Sequence, residues 1–227
     1  YSRRVKIGEP INNRSKEIIW DRLSTLYKRY NEPQDQIRMD KIMCDNRNFT
    51  EYWEQCNSYP DIFTWFMKIQ MQNKGKFRWG NQVPKDIFHL DQILSFYPNS
   101  KIIICIRDVH DFLLSYKYKW CSTAPDHVKR VQQLYHPVLT SLIWKLSVRQ
   151  SVHIRKIILP ENLFVIHYEE LVTNPDEVVP RISSFIGETF EPGMLDIDSN
   201  NSSRSDAGCS IFSSSIGRWK TDLSPTE

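Results

Sequence analysis

The fold class is decided by residues 101–116, which read KIIICIRDVHDFLLSY. Residues 101–106 form an unbroken aliphatic run with four isoleucines, which is typical of a parallel strand covered on both faces. Arg107 follows directly, and the residues after it have the spacing of a helix. We therefore predict a buried strand and a helix, with a permanent cation at the junction.

A second strand is predicted at residues 163–168, which read LFVIHY. A long helical stretch, from about residue 109 to 158, separates the two runs and is expected to break near Pro125 and Pro137. The order strand, helices, strand predicts a parallel pair with a right-handed crossover. The fold class is therefore α/β, a parallel β-sheet flanked by helices, in a single domain over residues 1–227.

The first half of the chain is predicted to be rich in helices. Apolar spacing predicts a helix over residues 15–30, capped by Ser15, with Ile18, Ile19, Leu23 and Leu26 on one stripe. Further helices are expected at residues 49–56, 61–72, 85–96 and 175–187, and a long polar loop at 196–215. The aromatic residues of this half either shape an acceptor pocket or form core at helical spacing; they are Trp53, Tyr59, Phe63, Trp65 and Phe66.

Composition excludes some classes of function. Thirty Lys and Arg residues against 27 Asp and Glu residues give a net charge of +3, which is too small for a general nucleic-acid binder. No run of 18 or more apolar residues predicts a membrane span, and the start YSRRVKIGEP lacks the apolar stretch of a secretory signal. The five cysteines are odd in number and show no CxxC spacing, so we expect reduced thiols and a cytoplasmic location.

The cation at the strand end indicates an anion pocket. Ligands of open parallel sheets bind beyond the carboxyl ends of the strands, and the helix that starts there adds unpaired N–H groups. Arg107 offers a guanidinium suited to phosphate, and Ser115 adds a hydroxyl about two turns later. The alternative is that Arg107 only pairs with Asp108 or Asp111 at the surface.

Four ordered segments resemble the sulfotransferase family, whose members use 3′-phosphoadenosine 5′-phosphosulfate (PAPS) as sulfuryl donor. The first is WGNQVPKDIFHLDQILSFYPNSKIIICIRD (79–108), and the second is the spacing of Arg107 and Ser115. The third is VIHYEELVTNPDEV (165–178), followed by Phe-Ile-Gly (185–187), and the fourth is SSSIGRWKTDLSP (213–225). The resemblance covers about residues 79–227 and implies a fold related to the P-loop nucleotide hydrolases.

The resemblance implies roles for particular residues. Arg107 and Ser115 are expected to hold the 3′-phosphate of PAPS or of the product adenosine 3′,5′-bisphosphate, and Tyr168 is expected near the adenine. The segment thought to close over the nucleotide contributes hydroxyls, backbone N–H groups and charge from Ser213, Ser214, Ser215, Gly217 and Arg218. The structural alternatives are that Tyr168 is a core residue and that the serines are merely solvated.

Two departures from the family pattern bear on activity. The Ser/Gly/Thr-rich 5′-phosphate loop is not found, since residues 7–15 (IGEPINNRS) lack its glycine and threonines. We expect that this sequence begins after this loop and stops before the C-terminal helix of the family; the alternative is that the loop has degenerated. Gln82 stands where many members have a lysine, and the loss of a charged donor costs on the order of 10²-fold in rate.

The candidate catalytic residues are His89 as the base and Lys85 as a replacement cation. The structural alternatives are that His89 is only a packed histidine and that Lys85 is a surface lysine at a helix start. No His, Cys, Asp and Glu set has metal-ligand spacing, so no metal is expected. The predicted reaction is sulfuryl transfer to a hydroxyl or amine of a small-molecule, lipid or carbohydrate acceptor, and the alternative is an adenosine-bisphosphate-binding relative that has lost turnover.

Overall fold

The computed structural model describes residues 12–30, 33–34, 48–119, 128–196 and 216–224. It divides into two compact units, Tyr1–Val83 and Pro84–Glu227. Helices occur in both units, and the second contains a pair of parallel strands. The predicted α/β class is confirmed. The single domain predicted for residues 1–227 stays a prediction, because compact units of this kind occur within domains as well as between them.

The described part of the first unit is a cluster of helices around aromatic side chains. Its helices are α1 (Asn13–Tyr30), α2 (Asn48–Gln55) and α3 (Tyr59–Asn73). Trp65 and Phe66 of α3 are buried in one cluster with Tyr27 of α1, and the ring of Trp20 lies 5.2 Å from that of Trp65. For Trp65 and Phe66, the core interpretation of the aromatic residues is therefore correct.

The predicted start of α1 was wrong, and the predicted stripe was wrong for Ile18, whereas Leu23 does pack against the cluster. The helix begins at Asn13, and the side chain of Asn12 caps it by accepting the N–H of Ser15 at 2.8 Å, so Ser15 is not the cap. Ile18 is 52% exposed, whereas Trp20 and Tyr27 face the cluster. The large rings bury more apolar surface than the isoleucine stripe could, and they set the rotation of the helix.

A buried lysine joins α1 to the end of α2. Lys16 is only 4% exposed, and its Nζ donates to the backbone oxygens of Trp53 at 2.9 Å and Glu54 at 3.4 Å. These carbonyls belong to the last turn of α2, where a helix has acceptors without partners and a partial negative charge. The ammonium group therefore satisfies two acceptors that the helix cannot satisfy itself.

We expect Lys16→Met to lower the free energy of unfolding by about 1–3 kcal/mol, because two part-buried hydrogen bonds from the ammonium group to backbone carbonyls are lost. Methionine keeps an unbranched stem of similar length, so packing changes little. Urea unfolding followed by circular dichroism measures the loss. Lys76→Met, at an exposed lysine of the same unit, is the control and should cost less than about 0.5 kcal/mol. Equal effects of the two substitutions would contradict the role given to Lys16.

The second unit contains the sheet and the remaining helices. Its strands are β1 (Ile102–Ile106) and β2 (Leu163–His167). Its α-helices are α4 (Leu90–Phe96), α5 (Val109–Lys117), α6 (Val128–Leu134), α7 (Pro137–Ile154), α8 (Tyr168–Thr173), α9 (Pro175–Ile186) and α10 (Trp219–Asp222). Short 3-10 helices lie at Pro84–Phe88, Pro160–Asn162 and Pro192–Leu195.

The two strands pair in parallel, as predicted, from Ile102 opposite Leu163 to Ile106 opposite His167. One face of the sheet is covered by a core cluster in which Ile104 is buried together with Leu90, Ile154 and Ile158. Because the pairing ends at the same level on both strands, the residues that follow them leave the sheet at one edge.

The other face of the sheet is covered unevenly. On β2, Ile166 is buried and the ring of Phe164 lies 5.2 Å from that of Phe185 on α9. On β1, Ile103 is 40% exposed and Cys105 is exposed. The prediction that β1 is covered on both faces was wrong for the described residues, because the contacts of α9 are made with the β2 side chains.

The helix predicted at residues 85–96 is divided. Pro84–Phe88 is a 3-10 helix, and α4 begins only at Leu90, with His89 between them at φ −129°. Ile87, before the break, packs against the core cluster that contains Leu90, so the residues on both sides of His89 contact the same core.

Two other predicted helix boundaries can be compared. Pro137 is the first residue of α7, so the long predicted stretch does break there, while Pro125 lies outside the described residues. The predicted stop at Gly187 is confirmed, because its φ of +73° ends α9 in a left-handed turn.

Candidate functional site

A cation and an aromatic ring meet where the two strands end. Arg107 follows β1 directly, and Tyr168 follows β2. The Cζ atom of Arg107 lies 4.4 Å from the centroid of the Tyr168 ring, within the range of a cation–π interaction. Tyr168 was predicted to be the last residue of the second strand. It is instead the first residue of α8, because the strand pairing stops at His167. The guanidinium is thereby held at the carboxyl end of the strands, which is where open parallel sheets in general bind their ligands.

The peptide bond after Arg107 is fixed at both of its polar atoms. The indole Nε1 of Trp144, on α7, donates to the backbone oxygen of Arg107 at 2.8 Å. The backbone N–H of Asp108 donates to Glu169 Oε1 at 2.9 Å. Trp144 and Glu169 were not identified from the sequence, because they lie 37 and 61 residues from their partners.

Asp108 and Asp111, the acidic neighbours considered as partners of Arg107, accept backbone N–H groups. Asp108 is the N-cap of α5, and its Oδ1 accepts from the N–H groups of His110 at 2.9 Å and Asp111 at 3.3 Å. Ser115 is exposed on the same helix. It lies four residues after Asp111 and seven after Asp108, so the three positions share one face of α5.

The segment around Gly217 is attached to α5 through Asp111. The carboxylate of Asp111 is 2% exposed; its Oδ2 accepts the N–H of Gly217 at 2.8 Å, and its Oδ1 accepts that of Trp219 at 3.4 Å. The ring of Trp219 stacks on that of His110, with centroids 4.3 Å apart and planes at 25°. The N–H of Gly217, a candidate phosphate donor, is therefore engaged within the protein.

Arg218 lies between these two bonded residues. Its Nη2 pairs with Asp222 Oδ2 at 3.0 Å, and Lys117 Nζ donates to the backbone oxygen of Asp222 at 3.3 Å. The segment is thus joined to α5 at a second place, six residues beyond Asp111. Ser213, Ser214 and Ser215, the other candidates from this segment, lie outside the described residues.

Lys85 and His89, the candidate catalytic residues, lie in and next to the 3-10 helix before α4, and both are exposed. His89 stands at the N-cap position of α4, but its side chain makes no capping hydrogen bond. A cleft of about 400 Å³ lies beside it, between Phe88 and four residues of α7, which are Leu146, Arg149, Gln150 and His153. The cleft combines apolar walls with basic side chains.

Two further properties concern the described ranges alone. No three or more His, Cys, Asp or Glu side chains of these ranges are grouped so as to hold a metal ion. Of the helices that they contain, none has the length and apolar character needed to cross a membrane.

Comparison with known proteins identifies the family of the chain. A family model described as the sulfotransferase family matches residues 11–192. The chain belongs to the sulfotransferase family. The match includes Arg107, Ser115 and Tyr168 and extends well before residue 79, where the resemblance in sequence motifs began. It ends before the segment of residues 213–225.

The sequence identity of the chain to individual sulfotransferases is low. The chain is 28% identical to a 3-beta-hydroxysteroid sulfotransferase from Cavia porcellus over 114 residues, which is 48% of this chain and 39% of the relative. A sulfotransferase domain from the curacin biosynthetic pathway matches in structure with a TM-score of 0.56 and 16% identity, over 89% of this chain and 78% of that domain. The sulfotransferase domain of the Synechococcus PCC 7002 olefin synthase matches with a TM-score of 0.55 and 16% identity, over 89% of this chain and 74% of that domain. These likenesses support the fold alone.

The pKa of Cys105 responds to the charged groups near Arg107. Partial dehydration of the sulfur raises the pKa of the Cys105 thiol, and the negative charge of Glu169 raises it further. The positive charge of Arg107 acts in the opposite direction and lowers the pKa. The thiol therefore responds to both charged residues that meet at the edge of the sheet.

We expect the rate of alkylation of Cys105 by iodoacetamide to reach half of its maximum at a pH above the ordinary thiol pKa of about 8.5, because only the thiolate reacts. Glu169→Gln removes a charge and should lower the midpoint, while Arg107→Ala should raise it. Peptide-resolved mass spectrometry over a pH series measures the rate at Cys105. Cys56, which is buried in the other unit, serves as the internal control and should not change. Shifts of the same sign in both variants would contradict this account.

Proposed function

We propose that this chain binds PAPS and transfers its sulfuryl group to a hydroxyl or amine of a small-molecule, lipid or carbohydrate acceptor. The observation that carries the proposal is the guanidinium of Arg107, positioned over Tyr168 where the two parallel strands end. The odd number of cysteines supports our proposal that the reaction takes place in the cytoplasm.

The role proposed for Arg107 is to bind the 3′-phosphate. A cation–π contact uses the face of the guanidinium, whereas phosphate is bound by its N–H edge, so the two interactions are compatible. Ser115 would add its exposed hydroxyl from the second turn of α5. A charge-assisted pair of this kind discriminates strongly against nucleotides without the 3′-phosphate.

Tyr168 is proposed to contact the adenine. Arg107 lies over one face of its ring, so the base would meet the other face or the edge that carries the hydroxyl. The core alternative for Tyr168 is less favourable, because the residue is only partly buried.

The donor supplies the sulfuryl group, which passes to the acceptor by an in-line displacement. His89 is the proposed base for the acceptor proton, since its ring does not cap the helix that it precedes. Lys85 is proposed to supply positive charge to the transferring group. Gln82 can donate a hydrogen bond to a bridging oxygen but brings no charge.

A second candidate function is binding without turnover. It is favoured by Gln82 at the lysine position of the family pattern and by the exposure of both Lys85 and His89. Catalysis differs from binding in needing groups that stabilise the transition state, so a chain could keep Arg107 and lose the reaction.

We expect Arg107→Ala to weaken the binding of adenosine 3′,5′-bisphosphate about 100-fold, because a charged hydrogen-bond donor is lost. Isothermal titration calorimetry measures the affinity, and thermal unfolding verifies that the variant is folded. The matched control is Arg149→Ala, at an exposed arginine that lines the cleft beside Phe88. Unchanged affinity in Arg107→Ala would show that the phosphate binds elsewhere.

We expect His89→Ala to lower kcat for sulfuryl transfer by about 10²–10⁴-fold and to leave the affinity for adenosine 3′,5′-bisphosphate unchanged. Transfer of labelled sulfate from PAPS to a panel of alcohols, phenols and amines provides the measurement. His153→Ala is the control, at another histidine near Phe88. A wild-type chain that binds the nucleotide tightly and transfers no sulfate to any acceptor supports the second candidate function.

A further inference from the structure

We propose that Asp111 is a positioning residue that fastens residues 216–222 to α5 without any nucleotide, and that this attachment sets the affinity for the nucleotide. The second half of the proposal rests on the proposed function. Asp111 does not contact the nucleotide in this scheme. It acts through the segment that it holds.

The first step of the argument is the cost of burying the carboxylate. Asp111 is 2% exposed, and a charged group in such a position is tolerated only if hydrogen bonds replace its water. The N–H groups of Gly217 and Trp219 supply one bond to each of its two oxygens. Folding of α5 with a buried Asp111 therefore requires that the segment is in place.

The second step is the shape of the segment. Gly217 has φ +70°, a conformation that other residues adopt only with strain. With this turn, the N–H groups of residues 217 and 219 both reach the same carboxylate. The stacking of Trp219 on His110 and the bond from Lys117 to Asp222 continue the attachment along α5.

The third step connects the attachment to the nucleotide site. Arg218 lies between the two residues that Asp111 holds, and Ser115 lies one helical turn after Asp111. The same carboxylate thus joins the backbone on either side of Arg218 to the helix that carries a candidate phosphate ligand, while the guanidinium of Arg218 pairs with Asp222. If the segment were released, nucleotide binding would have to order it again, which lowers affinity.

Hydrogen–deuterium exchange of the protein without nucleotide tests the first half. In Asp111→Asn, the amide group cannot accept at both positions, so the amides of residues 217–223 should exchange at least tenfold faster. Asp176→Asn is the matched control, since Asp176 is also an acidic residue in the first turn of a helix but is exposed. Gly217→Ala is a second variant, which strains the turn without altering α5, and should act in the same direction.

Calorimetry with adenosine 3′,5′-bisphosphate tests the second half. We expect Asp111→Asn to weaken binding about tenfold or more, equivalent to about 1.4 kcal/mol, with Asp176→Asn unchanged. Unchanged exchange in both Asp111→Asn and Gly217→Ala overturns the attachment, and faster exchange with unchanged affinity overturns the coupling. Absence of nucleotide binding in the wild type overturns the proposed function and the coupling together, while the exchange result still decides the attachment.

Discussion

The peptide bond between Arg107 and Asp108 is the point on which the site depends. Trp144 binds its oxygen and Glu169 binds its N–H, so its plane cannot rotate without the loss of two hydrogen bonds. Rotation of this plane would change the direction in which the following helix leaves the sheet and the position of the guanidinium. Each partner comes from a separate element, α7 and α8, so the parallel pairing of the strands and the packing of α7 jointly position one cation.

The chemistry of the site follows from three different uses of acidic residues. Asp108 caps α5, and Glu169 accepts the backbone N–H of Asp108 just before that helix. Asp111 is buried and accepts the N–H of Gly217. Each of these carboxylates accepts backbone N–H groups within the protein. The three carboxylates therefore fix the backbone at the carboxyl end of the strands rather than cap a single helix.

Sequence patterns predicted the strands, their parallel pairing and the end of α9, because these depend on local periodicity and on the conformation of a single glycine. They did not predict that Ile18 of α1 is exposed while the rings of Trp20 and Tyr27 face the core, or that the helix breaks at His89. Arg107 could be chosen because it follows a strand, and Tyr168 through the resemblance to the family, but the contact between them was not predicted. Trp144, Glu169 and Asp111 could not be assigned their partners, because hydrogen bonds across 37 to 108 residues leave no local pattern.

Glu169 has one effect beyond geometry. Partial dehydration of the sulfur raises the pKa of the Cys105 thiol, and the negative charge of Glu169 raises it further, so Cys105 becomes a poorer target for peroxide, since the first step of cysteine oxidation requires the thiolate. Cys105 is exposed and stands two residues before the cation of the site, where a bulky or acidic oxidation product would add negative charge beside Arg107. The carboxylate that fixes the turn after β1 therefore also makes Cys105 less susceptible to oxidation.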